Sequence, residues 1–230
     1  MNQPFLLARR IFASPTARST AGLLLLAALA WQAVAAADAR TLPWIALTAL
    51  AIVAGCIALG WLRPASVSIT APQAMLLLGT LGMVAGLAID AHEGGFRTLV
   101  ALCSARDGDF LTTLRLHWRW LPAMHLGMIG GGLATVVLLR TLRRNCRRQL
   151  CARLAQNFAC SLWMAAGMSA GTMLFAGLAG RLAARNAASM LGGMFAGMVW
   201  GMVASVLLYR LWFRTADRKS NAQATASAPY

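Results

Sequence analysis

Long apolar runs, repeated along the chain, constrain this fold more than any other feature. Six occur, at about 21–37, 43–62, 72–90, 121–140, 155–179 and 189–210. Crossing the hydrocarbon core of a bilayer takes about 20 predominantly apolar residues in a helix. The expected fold is therefore all-α: one integral-membrane bundle of six transmembrane helices over 1–219, followed by a polar, disordered tail, 220–230. Composition agrees. The chain is 59% hydrophobic and 12% charged, where a soluble domain carries about twice that charged fraction.

The formal net charge of +15 would suggest nucleic acid in a soluble protein. Here its distribution matters more than its total. With a cytoplasmic N-terminus, the inner segments hold fourteen of the 21 basic residues, many of them in "RTLRRNCRRQLCAR" (140–153). Five of the six acids, Asp38, Asp90, Glu93, Asp107 and Asp109, fall outside. The Lys/Arg bias of short loops then places both termini in the cytoplasm. The inner arginines favour anionic lipid headgroups, and nucleic acid is not an expected partner. High Ala and Arg with a single Lys points to a GC-rich bacterial genome, hence to the inner membrane.

The first run has a second reading. "RSTAGLLLLAALAWQAVAAADAR" also fits a secretory signal, and cleavage near Ala37 would leave five spans with the same orientation. Its basic leader is long for a signal, which favours an uncleaved helix. The five cysteines are scattered. Cys56 and Cys160 lie in spans, Cys103 outside, and Cys146 and Cys151 in the inner Arg-rich loop, so no structural disulfide is implied. The long outer connection, 91–120, contains "FRTLVALC" and "DFLTTLRLHWRWLP". Both are expected to lie in the interface as amphipathic helices, with Trp118 and Trp120 as an aromatic belt and Pro122 opening the next helix.

Gly-Met-x-x-Gly recurs on the last four runs. It appears at Gly82–Gly86, Gly127–Gly131 and Gly167–Gly171, and twice, overlapping, through Gly193, Gly197 and Gly201. Gly-xxx-Gly steps let helix backbones approach closely, so spans 3 to 6 are expected to pack as one unit, with spans 1 and 2 peripheral. At 100° per residue the glycines of the last helix form one stripe, and Met194, Met198 and Met202 the next.

Thioether sulfur is a soft ligand suited to Cu(I). His125, between Met124 and Met128, is the one histidine well inside a span, where a polar side chain marks a pathway or site. The expected metal site comprises His125, Met124, Met128, Met168, Met194 and Met198, with Met83 nearby and His92 and Glu93 at an outer entrance. Methionine as flexible apolar filler beside glycine grooves is the competing reading. "DAHE" likewise reads as a solvated outer cap.

Other classes fit less well. Ion-coupled transport places carboxylates near the midplane, and the nearest candidate is Asp90 at a span end. "GMSAG" around Ser169 resembles the Gly-x-Ser-Gly element of the rhomboid proteases, but Ala170 replaces the glycine and the last span has no histidine as base. That resemblance is rejected, and no enzyme is expected. Membrane copper importers share Met-xxx-Met but have three spans and a Met-rich outer tail that this chain lacks. The sequence thus points to a multi-pass inner-membrane protein that binds or passes a soft metal ion, with copper as its ligand. The alternative is a non-catalytic subunit or scaffold that packs with itself or with partner helices and with anionic lipid.

Overall fold

The computed structural model describes residues 15–35, 42–62, 70–94, 98, 109–142, 150–181 and 187–226. Seven helices and no strand occur among them: α1 (Pro15–Ala35), α2 (Leu42–Leu62), α3 (Ala71–His92), α4 (Phe110–Trp120), α5 (Pro122–Leu142), α6 (Leu150–Arg181) and α7 (Ala187–Ala226). Four of these are long and apolar enough to cross a membrane: α2, α3, Gln156–Arg181 of α6 and Ala187–Trp212 of α7. A fifth crossing is reached if α4 and Pro122–Leu138, which meet at 90°, count as one bent span. Six was the expected number. The first run is helical over Pro15–Ala35, and its described apolar part is Thr20–Gln32.

α4 lies within the connection 91–120, where an amphipathic helix was expected. "FRTLVALC" lies outside the described residues apart from Thr98, as do Cys103, Cys146, Asp38, Asp107 and 143–149 of the Arg-rich loop. The side chain of Cys151 lies outside them too. Cys56 and Cys160 are half-buried, and Cys160 Sγ accepts from Ser205 Oγ at 3.1 Å. α7 continues to Ala226, into the stretch expected to be unstructured. No Gly or Pro interrupts it between Gly201 and Pro229.

Two antiparallel helix pairs form the bundle. In the first, Leu78, Gly82 and Gly86 of α3 face Gly131, Gly127 and Ala123 of α5, backbone against backbone. A Cβ at Gly82 would strike the Gly127 carbonyl, and one at Gly127 the Gly82 carbonyl. In the second pair, Gly167 and Gly171 of α6 face Gly197 and Gly193 of α7, and Gly201 faces Trp163. Four residues along one helix match four back along its partner, so each register carries over more than one turn. Such contacts gain from dispersion and from weak Cα–H···O bonds.

The pairs pack through α5 on α6, and α2 and α1 cover α7. α7 is the central element: the whole stretch 188–199 is buried. α2 is mostly outward-facing, yet it is fastened to α7. Gly55 sits against Val199, and the Trp200 indole donates to the Ala51 carbonyl at 3.1 Å. α1 buries Leu24, Ala28 and Gln32, and the Gln32 amide donates to Thr48 Oγ1 and the Ala188 carbonyl at 2.9 and 3.0 Å.

Between the pairs lies a core rich in sulfur. Met75 and Met83 (α3), Met124 and Met128 (α5), Met164 and Met168 (α6), and Met190, Met194, Met198 and Met202 (α7) belong to one buried cluster. Leu24, Leu59, Leu76, Leu87, Leu121 and Leu191 share that cluster, while Leu26, Leu81, Leu126 and Leu174 face outward.

The glycine contacts are testable within one short segment, because Gly130 has open space beside it. Gly127→Ala should lower unfolding stability in detergent by about 1–3 kcal/mol through overpacking. Gly130→Ala should leave it unchanged or slightly raise it, since alanine is the better helix former.

Candidate functional site

The candidate site forms where α4 turns into α5. Pro122 lacks an N–H and disfavours helical geometry at the residue before it. Leu121 accordingly leaves the helix, at φ −128° and ψ 52°, and the axis bends by 90°. The break strands the first N–H groups of α5 in a buried setting. Asp90, at the end of α3 and only 2% exposed, satisfies them. Its Oδ1 accepts from Ala123 N–H at 3.2 Å and its Oδ2 from Met124 N–H at 2.8 Å. The carboxylate also sits at the positive end of the α5 dipole. Asp90 is thus a capping group supplied from a neighbouring helix, and its position at a span end follows from that task.

The bend brings together two histidines that a straight helix would hold more than two turns apart. His117 and His125 are both fully buried, with ring centroids 6.3 Å apart. Each is held through Nδ1. The Nδ1 of His125 lies 2.8 Å from the Leu121 carbonyl oxygen, which can only accept, so Nδ1 carries the proton. The Nδ1 of His117 lies 3.4 Å from Ser169 Oγ on α6. Ser169 donates its one proton to the Ala165 carbonyl at 3.3 Å, which leaves Oγ to accept from Nδ1–H. Tautomers are assigned here from the bonding partners. On both rings Nε2 is then a bare acceptor, and neither Nε2 has a hydrogen-bond partner among the described residues.

Trp118 closes one side. Its ring stacks on His125 at 4.7 Å between centroids and 24° between planes, with 38% of the residue exposed. Its ring covers the imidazole while part of it stays exposed.

The expected site residues divide into three groups. Met124 and Met128 flank His125 on α5, and Met168 precedes Ser169 on α6; all three are fully buried in the core that the histidines border. Met194, Met198 and Met83 lie in the same core on α7 and α3, with no described contact to either imidazole. His92 and Glu93 are exposed at the end of α3 and make no described contact with the histidine pair. The glycines Gly82, Gly86, Gly127, Gly131, Gly167, Gly171, Gly193, Gly197 and Gly201 all sit at helix contacts.

Sequence reasoning missed His117, Ser169 and the capping role of Asp90. A signal for the first existed in "HWRWLPAMH", two histidines on either side of a proline that must break the helix. Ser169 lies 52 residues from His117, beyond the reach of any local pattern.

Among the described residues, no three of His, Cys, Asp and Glu gather as a metal-binding group. Elsewhere, a groove of about 600 Å³ opens between α6 and α7, lined by Gly167, Gly171, Gly197, Trp163, Trp200 and Phe110 among others. Its walls are almost wholly apolar and offer no ligand. No protein-family model, no curated protein and no solved structure matches this chain.

The capping role has a measurable consequence. Asp90→Ala should cost about 1–2 kcal/mol of unfolding stability, whereas Asp90→Asn, which keeps an acceptor, should cost less than half as much. Equal losses for the two variants in a detergent unfolding titration would count against it.

Proposed function

We propose that this protein is a multi-pass inner-membrane protein that binds a soft metal ion, copper as Cu(I), at the histidine pair between α4 and α5. One observation carries the reading. Two buried imidazoles have Nδ1 engaged and Nε2 bare, on the border of a methionine core. A buried acceptor without a partner costs about 1–3 kcal/mol, and metal ligation relieves it. Metal-bound histidines characteristically donate the other ring N–H to a carbonyl or similar acceptor, which fixes the tautomer. At metal–nitrogen distances of about 2.0–2.1 Å, two imidazoles sharing an ion place their centroids roughly 5–6 Å apart. The observed 6.3 Å is close to the wide end of that range. Thioether sulfurs of Met124, Met128 and Met168 supply soft donors and select a soft ion.

The role is binding rather than catalysis. Ser169 orients His117, with its own proton committed to the Ala165 carbonyl, and both side chains are shielded from water. Entry is from the outer face, past the exposed His92 and Glu93, in an orientation with both termini cytoplasmic and the Arg-rich inner loop against anionic headgroups.

Copper content of the purified protein tests this. Loaded with Cu(I) under ascorbate, the wild type should retain about one copper per chain, while His125→Ala and His117→Ala should each lose most of it. Zinc should be retained poorly. A copper-free wild type would leave the scaffold reading, in which the chain packs with itself or partner helices.

A further inference from the structure

The methionines below the histidine pair are arranged in sequence, not scattered. Gly79 of α3 marks a first rung. The position a Cβ would occupy there lies 3.1 Å from Met164 Cε and 3.9 Å from Met128 Cγ. Thioether side chains from α5 and α6 therefore meet beside one glycine. Met128 is one turn deeper than Met124 on α5, and Met164 one turn deeper than Met168 on α6. Gly132 marks a second rung, another turn on. Its Cβ position lies 2.6 Å from Ser161 Oγ and 3.7 Å from Met75 Cε. Beyond it, Asn157 Nδ2 donates to the Gly132 carbonyl at 3.3 Å. A turn of helix rises about 5–6 Å, so successive rungs are one side-chain swing apart.

We infer that Met128, Met164 and Met75 form a thioether relay through the bundle, carrying a monovalent soft cation between the histidine pair and the Asn157 end. This rests on the proposed metal site and extends it from binding to passage. Two further observations support it. Ten of the twelve methionines lie in the core, each at most 4% exposed, whereas the leucines are divided between that core and the outward face. Unlike the leucines beside them, thioethers are flexible and offer donors that can pass a soft ion between them. Charge then narrows the ion. Asp90 is the one buried carboxylate among the described residues, and both of its oxygens are held by α5 N–H groups. Neutral sulfur and hydroxyl donors give a divalent ion little compensation for lost hydration. Cu(I) or Ag(I) carries half that charge. Ser161 and Asn157, at 0% and 9% exposure, supply the polar step at the far end.

Leucine in place of methionine separates packing from ligation, because the swap nearly conserves volume and removes only sulfur. The full chain, reconstituted in phospholipid vesicles, is given Cu(I) under ascorbate or Ag(I), and trapped metal is measured after external metal is stripped. Copper retained by the same proteins in detergent reports the histidine site. The Met128→Leu/Met164→Leu double variant should keep its copper in detergent while uptake falls roughly tenfold or more. Met75→Leu should fall in the same sense, which guards against misfolding of the double variant. Met173→Leu, at a half-buried position outside the core cluster, should transport as wild type.

Uptake by the double variant and by Met75→Leu equal to wild type would overturn the relay and leave the metal site standing. A wild type that binds copper but moves none would do the same. Uptake that needs Met164 in a chain whose histidine variants bind and transport normally would sustain the relay and overturn the histidine site.

Discussion

Backbone contact at glycine is the interaction on which the rest of this structure depends. A Cβ at Gly82, Gly127, Gly167, Gly171 or Gly197 would collide with a carbonyl on the facing helix, so the pairs α3/α5 and α6/α7 exist only because those positions are bare. The consequence reaches further than the contacts. In every copy of the motif a methionine follows the glycine, and one residue along a helix is 100° around its axis. Once the glycine face is spent on the antiparallel partner, the methionine face is turned aside. With the pairs joined through α5 and α6, that face becomes the interior. The sulfur-rich core is therefore the geometric counterpart of the glycine pairing.

The second constraint is the break at Leu121–Pro122. A proline there costs the backbone its continuity, and a buried break is tolerable only if the freed N–H groups find acceptors. Asp90 provides both from α3, and α3 is held in place by the same glycine contacts to α5. The bend then sets His117 beside His125 and aims α4 at α6, where Ser169 receives His117. Helix pairing, capping and histidine geometry form one chain of dependence: Gly82 and Gly86 hold Asp90 in position, Asp90 permits the bend, and the bend assembles the site.

Much of the helical layout was legible in the sequence because apolar run length and Gly-xxx-Gly spacing are local properties. Within the first run Gln32 reads as one more residue of an apolar stretch, and the partners that bury its amide, Thr48 and Ala188, lie on other helices. His125 and its flanking methionines were visible because a histidine inside a span stands out. His117 was hidden in an amphipathic stretch where Arg and Trp made it look like surface. Asp90 invited a functional reading for the same reason that His92 and Glu93 did. What distinguished it was the approach of another helix end, which no periodicity encodes. His92 and Glu93 followed the ordinary behaviour of polar residues at a helix end and stayed exposed.

Methionine and leucine are nearly equal in size and hydrophobicity, so packing alone is almost indifferent to which one faces lipid and which faces inward. Six leucines share the core, yet ten of the twelve methionines lie in it, and that enrichment needs some term that tells the two apart. Flexibility is one: an unbranched side chain fills the irregular space beside glycine ridges better than a branched one. That accounts for methionines next to the glycines, as at Met83, Met168 and Met194. It does less for Met75, which no glycine precedes in the chain, and which reaches across to Gly132 and Ser161 from a different helix. Nor does it account for two histidines whose Nε2 atoms are left bare at the border of that core. Packing leaves those lone pairs as an unrelieved cost, since the same volume filled by phenylalanine would carry none. Under the proposed soft-ion ligation, the sulfur and the bare nitrogen would serve one interaction together, which would give both placements a single cause.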